Sequence, residues 1–403
     1  MRPKMLGGIL LVTGTSIGGG MLSLPIITAQ TGLFNSSLLF ILCWALMTFT
    51  ALLTLEVNLC FPKNWNVVSI AKATLGRSGE IISWTIYLFF LYSLVSAYIA
   101  GGRDVLYGIL TTLGIKVPIS LCGILFILSF TFIIRSGINS VEMFNRFIMI
   151  LKSLLIFLLI LYISPHVDYK NYLQYNTSPS IPPISIIITS FGFSIIIPSL
   201  RIYFNDDVKK LRLAIIIGSL LPLICYIIWN AVILGTIPLN DKYGLNQLRN
   251  NNQPISSLLE AIIYYTQAEN IALLSRLFVS ISILTSFVCV SLALSDYLAD
   301  GFKIDKTNKS KWLTTFSTFI PPFLFVTFFP KVFILFLTLA GLFCIILQGL
   351  MPIIMAWNCR YNKQLHTVYQ VWGKKFTLLI AIFTSILVIF VTLYEMIFSQ
   401  NPS

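Results

Sequence analysis

A lysine stands at position 152 inside the run IMILKSLLIFLLIL, and an ammonium in such surroundings is costly enough to be read first as functional. Its stem can snorkel only a few ångströms, whereas the midplane of a hydrocarbon core about 30 Å thick lies about 15 Å from either interface. Lys152 must therefore face protein, where carbonyls or hydroxyls can accept its protons. Two roles follow: a tie that only holds the fold, or a cation whose protonation changes during the working cycle.

Glycines supply the second chemically suggestive group. Residues 14–20 read GTSIGGG, with Pro25 ten positions after Thr15, and residues 189–192 read TSFG, with Pro198 nine positions after Thr189. Each glycine costs roughly 1 kcal/mol relative to alanine in a helix, so the run 14–20 is expected to be unwound. One glycine-rich stretch by itself more often marks close helix packing. Two in corresponding positions of the two halves of a chain point instead to a substrate site near the bilayer midplane. Unwound backbone cannot face hydrocarbon and must meet a ligand, water or side chains. Its free N–H groups suit a carboxylate and its free carbonyls suit an ammonium, so an amino acid zwitterion fits both. The expected substrate-binding residues are accordingly Gly14, Thr15, Ser16, Gly18, Gly19 and Gly20 at the first break and Ser190, Phe191, Gly192 and Phe193 at the second, with Tyr98 beside them. For Tyr98, Phe191 and Phe193, plain core packing is an equal reading.

The elements that must position these residues are membrane helices. The chain of 403 residues is 57% hydrophobic and only 10% charged, with mean hydropathy +0.88, a composition whose solvent is lipid. Eleven apolar runs fall at roughly 5–30, 34–60, 81–112, 117–134, 141–163, 184–203, 211–237, 270–299, 312–329, 331–357 and 376–398. The fourth is short, and only Pro330 and Lys331 part the ninth from the tenth. No cleavable leader is expected, because the first run is longer than a signal core and is broken by glycines. The two glycine motifs start five spans apart, an odd number, so the second enters the membrane in the opposite sense, as in an inverted-topology repeat. This reads as one transmembrane domain over 1–403, with repeats at about 5–163 and 184–357 and one extra helix at about 376–398.

Basic residues give the orientation. Alternate segments hold clusters such as Lys209, Lys210 and Arg212, or Lys303, Lys306, Lys309 and Lys311, whereas the opposite segments hold only Lys116, Lys170, Lys242, Arg249 and Lys331. The N-terminus is expected in the cytosol and the C-terminus outside. The same distribution over many loops accounts for the net charge of +13 without a nucleic-acid partner. Two histidines, both in loops, give a catalytic or metal site little to work with, and seven cysteines without a CxxC pair read as apolar fillers. No cofactor is called for. A channel would want charged rings or a repeated pore motif, and neither is present.

Several stretches in order, LLVTGTSIGGGMLSLP, WALMTFTALLTLEVN, ITSFGFSIIIPSL and LTSFVCVSLALSDYLAD, together resemble the hydroxy and aromatic amino acid permeases, the tryptophan and tyrosine permease group. The resemblance runs over essentially the whole chain. It implies an all-α integral membrane protein of LeuT type: a five-plus-five inverted repeat with discontinuous helices 1 and 6, plus one extra helix. It implies a bacterial inner-membrane symporter that imports an aromatic amino acid with a proton. It also puts the Lys152 ammonium, near Thr285 and Ser286, where related sodium-coupled transporters hold a cation, and makes an inner gate of Arg2, Lys4, Asp296 and Asp300, for which a solvated interfacial cluster is the equal alternative. A sodium-coupled symporter or exchanger of a small amino acid such as serine stays open as the alternative. One departure is Ser194, which stands where the family pattern leads one to expect histidine. Elsewhere Glu56 is expected to be an anchor rather than a proton carrier, Arg103 and Asp104 each need a partner, and 254–267 is expected to lie along the outer face as a lid or interfacial helix.

Overall fold

Backbone amides in hydrocarbon must find partners within their own segment, and the regular structure of the described residues is helix throughout. A computed structural model describes residues 3–63, 65–135, 138–174, 183–251, 253–301, 308–329, 332–365 and 368–398. The chain opens with α1 (Pro3–Ser16) and α2 (Gly20–Thr28), bent by 52° across residues 17–19. Then come α3 (Leu33–Leu59) and α4 (Val67–Thr112), which turns at Gly76 with φ 75°. That left-handed conformation is open to glycine without steric cost. Next are α5 (Ile119–Arg135), α6 (Ile138–Ile163) and the short α7 (Tyr169–Leu173). A second interrupted segment consists of α8 (Ile184–Ser190) and α9 (Ile197–Phe204). After it follow α10 (Val208–Thr236), α11 (Leu245–Asn250), α12 (Pro254–Thr266), α13 (Glu269–Gly301) and α14 (Asn308–Phe328). The tenth expected run is α15 (Val332–Cys344), a π-helical turn at Ile345–Leu350, α16 (Met351–Trp357) and a second π turn at Asn358–Asn362; α17 (Lys375–Phe398) ends the described chain.

Among the described residues eight segments are long and apolar enough to cross a bilayer, and nine if α1 and α2 make one span. Ile119–Thr131 and Trp312–Phe328 are shorter apolar helices. The chain is a multi-pass membrane protein. Its outermost helix, α17, leaves Phe383 and Phe390 about two-thirds exposed, as a lipid-facing surface does.

Close packing places the two interrupted segments at the centre. α1 crosses α10 where Gly218 has no side chain: a Cβ there would lie 2.6 Å from Val12 Cβ. α8 meets α15 at Gly341, whose added Cβ would lie 2.1 Å from the Ser185 carbonyl oxygen. α4 lies against both α13 and α15, and α6 against α13. Small residues at such crossings gain dispersion contact, the main attraction left where lipid and side chain are equally apolar.

One expectation is corrected here. The run 14–20 is not unwound throughout, because α1 stays helical through Ser16 and only residues 17–19 break. A glycine's preference is small beside packing: Gly14 seats the Met149 side chain, which a Cβ would strike at 1.8 Å. In the helix at 254–266, α12, the apolar residues Ile255, Leu258, Leu259 and Ile262 are buried and the helix packs on α13 and α4.

Polar side chains secure the face on which α1 begins. Arg201 of α9 donates to the Asn58 carbonyl, to Asn58 Oδ1 at 3.1 Å and to the Phe61 carbonyl at 2.9 Å, closing the end of α3. Its Nε also meets Asp206 at 2.5 Å and holds that loop carboxyl below the usual carboxylate range. Glu56 of α3 is an anchor: Arg360 binds both its oxygens at 2.6 Å, and the Val371 N–H donates to it at 2.6 Å. Both side chains are buried, so removing one leaves an uncompensated charge, at a cost of about 3–5 kcal/mol. Glu56→Ala is expected to lower the thermal unfolding midpoint in detergent strongly, and adding Arg360→Ala should restore part of the loss; strictly additive losses would contradict the pairing.

Candidate functional site

The break in the first segment frees the Ile17 carbonyl, and Lys152 comes to it from α6. Its Nζ donates to Ile17 O and stands 3.4 Å from Thr285 Oγ1 of α13, with the residue 2% exposed. The ammonium therefore meets neutral acceptors, and no carboxylate pairs with it among the described residues. Across the break, the Gly19 N–H donates to Ser286 Oγ at 3.3 Å. α13 thus contributes adjacent hydroxyls, one toward the lysine and one toward the start of α2.

At the second break, Phe191 and Gly192 turn their N–H groups back onto the Ile188 and Thr189 carbonyls at 2.9 and 3.0 Å, closing the end of α8. The residue that joins the two breaks is Tyr226 of α10, fully buried, with its hydroxyl 2.6 Å from Ser16 O and 2.9 Å from Ser190 O. Its single proton serves either carbonyl, so one group ties the last turn of α1 to the last turn of α8. The Phe191 ring packs on the same tyrosine, centroids 5.2 Å apart. Beyond the break, the Ser194 N–H and hydroxyl both donate to Gln348 Oε1, at 3.0 and 2.8 Å, from the π turn that follows α15.

The glycines that marked these breaks each face a neighbour. A Cβ at Gly18 would come 2.8 Å from Ser286 Oγ, one at Gly19 2.9 Å from the Tyr98 ring, and one at Gly20 3.0 Å from Ser190 Oγ. At Gly192 it would come 2.9 Å from Cys344 Sγ. Close approach of α2, α4, α8, α13 and α15 accounts for all four. Tyr98, Ser190, Phe191 and Phe193 are buried; Phe193 belongs to the same buried apolar cluster as Met5, Ile9 and Val12 of α1. Thr15 is not drawn in: its side chain is exposed and donates to Leu11 O at 2.7 Å.

The charged residues near the ends are placed less centrally. Lys4 and Asp296 are both exposed, while Arg2 and the side chain of Asp300 lie outside the described residues. Asp104 of α4 finds its partner at the start of α12, accepting from Ile255 N at 3.2 Å, Ser256 N at 3.3 Å and Ser256 Oγ at 2.7 Å. It is an N-cap supplied by another helix. Arg103 turns away to the Val326 carbonyl at 2.6 Å. Tyr226 and Gln348 were not singled out by sequence. The signal available was a polar residue inside an apolar run: Tyr226 with Asn230 one turn on, and Gln348 in IILQGL.

Two interrupted helices packed at the centre of a helical membrane protein make a transporter fold. A solved structure of a manganese transporter from Eremococcus coleocola, bound to an aromatic bis-isothiourea substituted compound, superposes with TM-score 0.62 over 99% of this chain and 88% of that one. At 14% identity that likeness concerns the fold alone. Residues 1–392 match the tryptophan/tyrosine permease family, and the chain belongs to it, a family of permeases rather than enzymes. It is 32% identical over 395 residues to the "Tyrosine-specific transport system 1" of Haemophilus influenzae, covering 96% of this chain and 95% of that protein. It is 27% identical to the "Glutamine transporter 2" of Aliivibrio fischeri, with 92% of each covered.

The clamp generates a prediction. Tyr226→Phe keeps the ring against Phe191 but leaves two buried carbonyls without that donor, a loss of about 1–3 kcal/mol. A lower thermal unfolding midpoint and slower transport are expected together; a variant that matches the parent in both would remove Tyr226 from the site.

Proposed function

We propose that this chain imports an aromatic amino acid, tyrosine or tryptophan, across a bacterial inner membrane together with a proton. The observation that carries the reading is the Lys152 ammonium on the Ile17 carbonyl, at the break of the first span and against Thr285. A fixed side-chain cation there does what a bound metal cation would do, with the difference that it can lose its charge by giving up a proton. Family membership and the tyrosine-specific relative support the substrate class. The start of α2 offers N–H groups and a positive dipole end to the substrate carboxylate, while the carbonyls near Ser16 and Ser190 suit its ammonium. Gly18, Gly19, Gly20, Ser190, Phe191 and Tyr98 then line the site by backbone or ring.

The wider architecture follows the same reading. The eight long segments, the bent pair α1 and α2, and the two shorter apolar helices make eleven spans: two inverted repeats, about 5–163 and 184–357, and α17 as the extra helix. Alternating access works by moving one half of each broken segment against the other, with Lys4, Arg2, Asp296 and Asp300 as a cytosolic gate. The glutamine-transporter relative favours a second reading, a non-aromatic amino acid on the same fold.

Uptake by the purified chain in proteoliposomes tests the reading. Labelled tyrosine or tryptophan should accumulate down a pH gradient without sodium and be competed poorly by glutamine and serine. Strict sodium dependence, or competition led by glutamine or serine, would favour the second reading. Lys152→Ala should lose gradient-driven accumulation. So should Lys152→Arg, because guanidinium keeps its charge at accessible pH; facilitated exchange in either variant is compatible with the reading, since it needs no net proton movement. Concentrative, proton-dependent uptake by Lys152→Ala would return the lysine to a structural tie. Topology is tested separately: a reporter after Ser403 should be active outside and one within 303–311 inside; the reverse pair of results would overturn the orientation, and both reporters on one side would overturn the span count.

A further inference from the structure

The Gln348 side chain is only half used. The residue is 3% exposed, and its Oε1 accepts from both the N–H and the hydroxyl of Ser194. Its Nε2 is buried and meets no acceptor among the described residues. Exchanging the two ends of the amide does not help, because the Ser194 main-chain N–H is itself a donor and fixes the oxygen on its side. Two N–H donors are therefore held in place with nothing to receive them, an expensive state for a buried group. A tie between α9 and the helix after α15 would need only the acceptor, so the nitrogen calls for a reason of its own.

Its surroundings supply one. The π turn Ile345–Leu350 interrupts an otherwise regular helix, and single π turns occur frequently at functional sites. Gly192 of the second break faces it: a Cβ on that glycine would lie 3.5 Å from Nε2. The carboxyl group of the substrate is assigned above to the start of α2, and its amino group to the carbonyls near Ser16 and Ser190. A side chain carried from there along the second break would come to Gln348, which faces Gly192. What Gln348 offers at that far end is a donor. A phenolic oxygen can accept from it, an indole N–H can only donate, and a phenyl ring does neither.

We propose that Gln348 is a specificity-determining residue whose amide N–H donates to the phenolic oxygen of bound tyrosine, so that the chain selects tyrosine over phenylalanine and tryptophan. This rests on the reading of the chain as an aromatic amino acid carrier. A site built to bond a hydroxyl rejects the analogue that lacks it, because its own donor is then left unpaired.

Two substitutions at this residue separate reading the substrate from holding the helix. Gln348→Met removes both functions of the amide. Gln348→Glu keeps an oxygen for Ser194 and replaces the donating nitrogen by an acceptor. Initial uptake rates of tyrosine, phenylalanine and tryptophan are measured for each in proteoliposomes. The parent chain should prefer tyrosine to phenylalanine by about ten-fold or more. Gln348→Met should bring that ratio near one with phenylalanine uptake retained, and Gln348→Glu should move the preference toward tryptophan, whose indole can donate to the new oxygen. A parent without tyrosine preference, a variant that keeps the parental ratio, or loss of all three substrates in both variants would overturn the proposal. A parent that carries none of the three would instead sink the transport reading on which it rests.

Discussion

The Ile17 carbonyl has no amide of its own helix to meet, and the Lys152 ammonium supplies the donor. That contact expresses the constraint on which the rest of the molecule depends: a helix may be interrupted inside a bilayer only where other groups take over its hydrogen bonds. Each free end here has been given such a group. Lys152 serves the carbonyl side of the first break and Ser286 its N–H side. Tyr226 serves the ends of α1 and α8 together, and Gln348 the start of the helix that leads into α9. These donors and acceptors come from α6, α13, α10 and the turn after α15, so four surrounding helices are bound to the two broken ones by polar contacts. The breaks are thereby held open in the chain of contacts while remaining closed to lipid.

A cation fixed to a carbonyl at such a place has a chemical consequence that an ordinary structural tie lacks. On the proposed reading, the charged lysine binds the Ile17 carbonyl strongly, and loss of the proton would weaken the tie between the first segment and α6, leaving the Gly19–Ser286 contact to α13 in place. Thr285 lies close enough to share the ammonium in the first state. Because Tyr226 joins the last turn of α1 to the last turn of α8, the same reading would carry a change of charge at Lys152 to α8 through two contacts. The glycines belong to this same mechanism in a different sense from substrate space: they let α2 approach Tyr98, Ser286 and Ser190 closely enough for hydroxyls to reach the broken backbone.

Much of this was legible in the sequence, for physical reasons that differ by element. Long apolar runs can only be spans, so most helices stand within a few residues of their expected places, as with Leu33–Leu59 and Lys375–Phe398. By contrast α4 begins at Val67, ahead of the expected 81, because its first turns before the bend at Gly76 are too polar to read as a span. Paired Gly and Pro motifs located both breaks, and a charge in an apolar run located Lys152. The extent of the first break was overread, because glycine propensity is weak: residues 14–16 stay helical, with Gly14 lying against Met149. Tyr226 and Gln348 went unnoticed because tyrosine and glutamine are unremarkable in spans until their partners are known. Those partners lie 210 and 36 residues away for the tyrosine and 154 for the glutamine. Asp104 was recognised as needing a partner, but a cap given to a helix 151 residues on leaves no local pattern.

The claim at the centre is that Lys152 changes its protonation as the site is used. Calorimetric titration of the purified chain with tyrosine, in buffers of different ionisation enthalpy, counts protons exchanged on binding and needs neither a membrane gradient nor turnover. The expected result is a measurable fraction of a proton exchanged per substrate bound near neutral pH, absent in Lys152→Met, which keeps much of the stem's volume without the amine. Proton exchange of the same size in Lys152→Met, or none in the parent chain, would contradict the account.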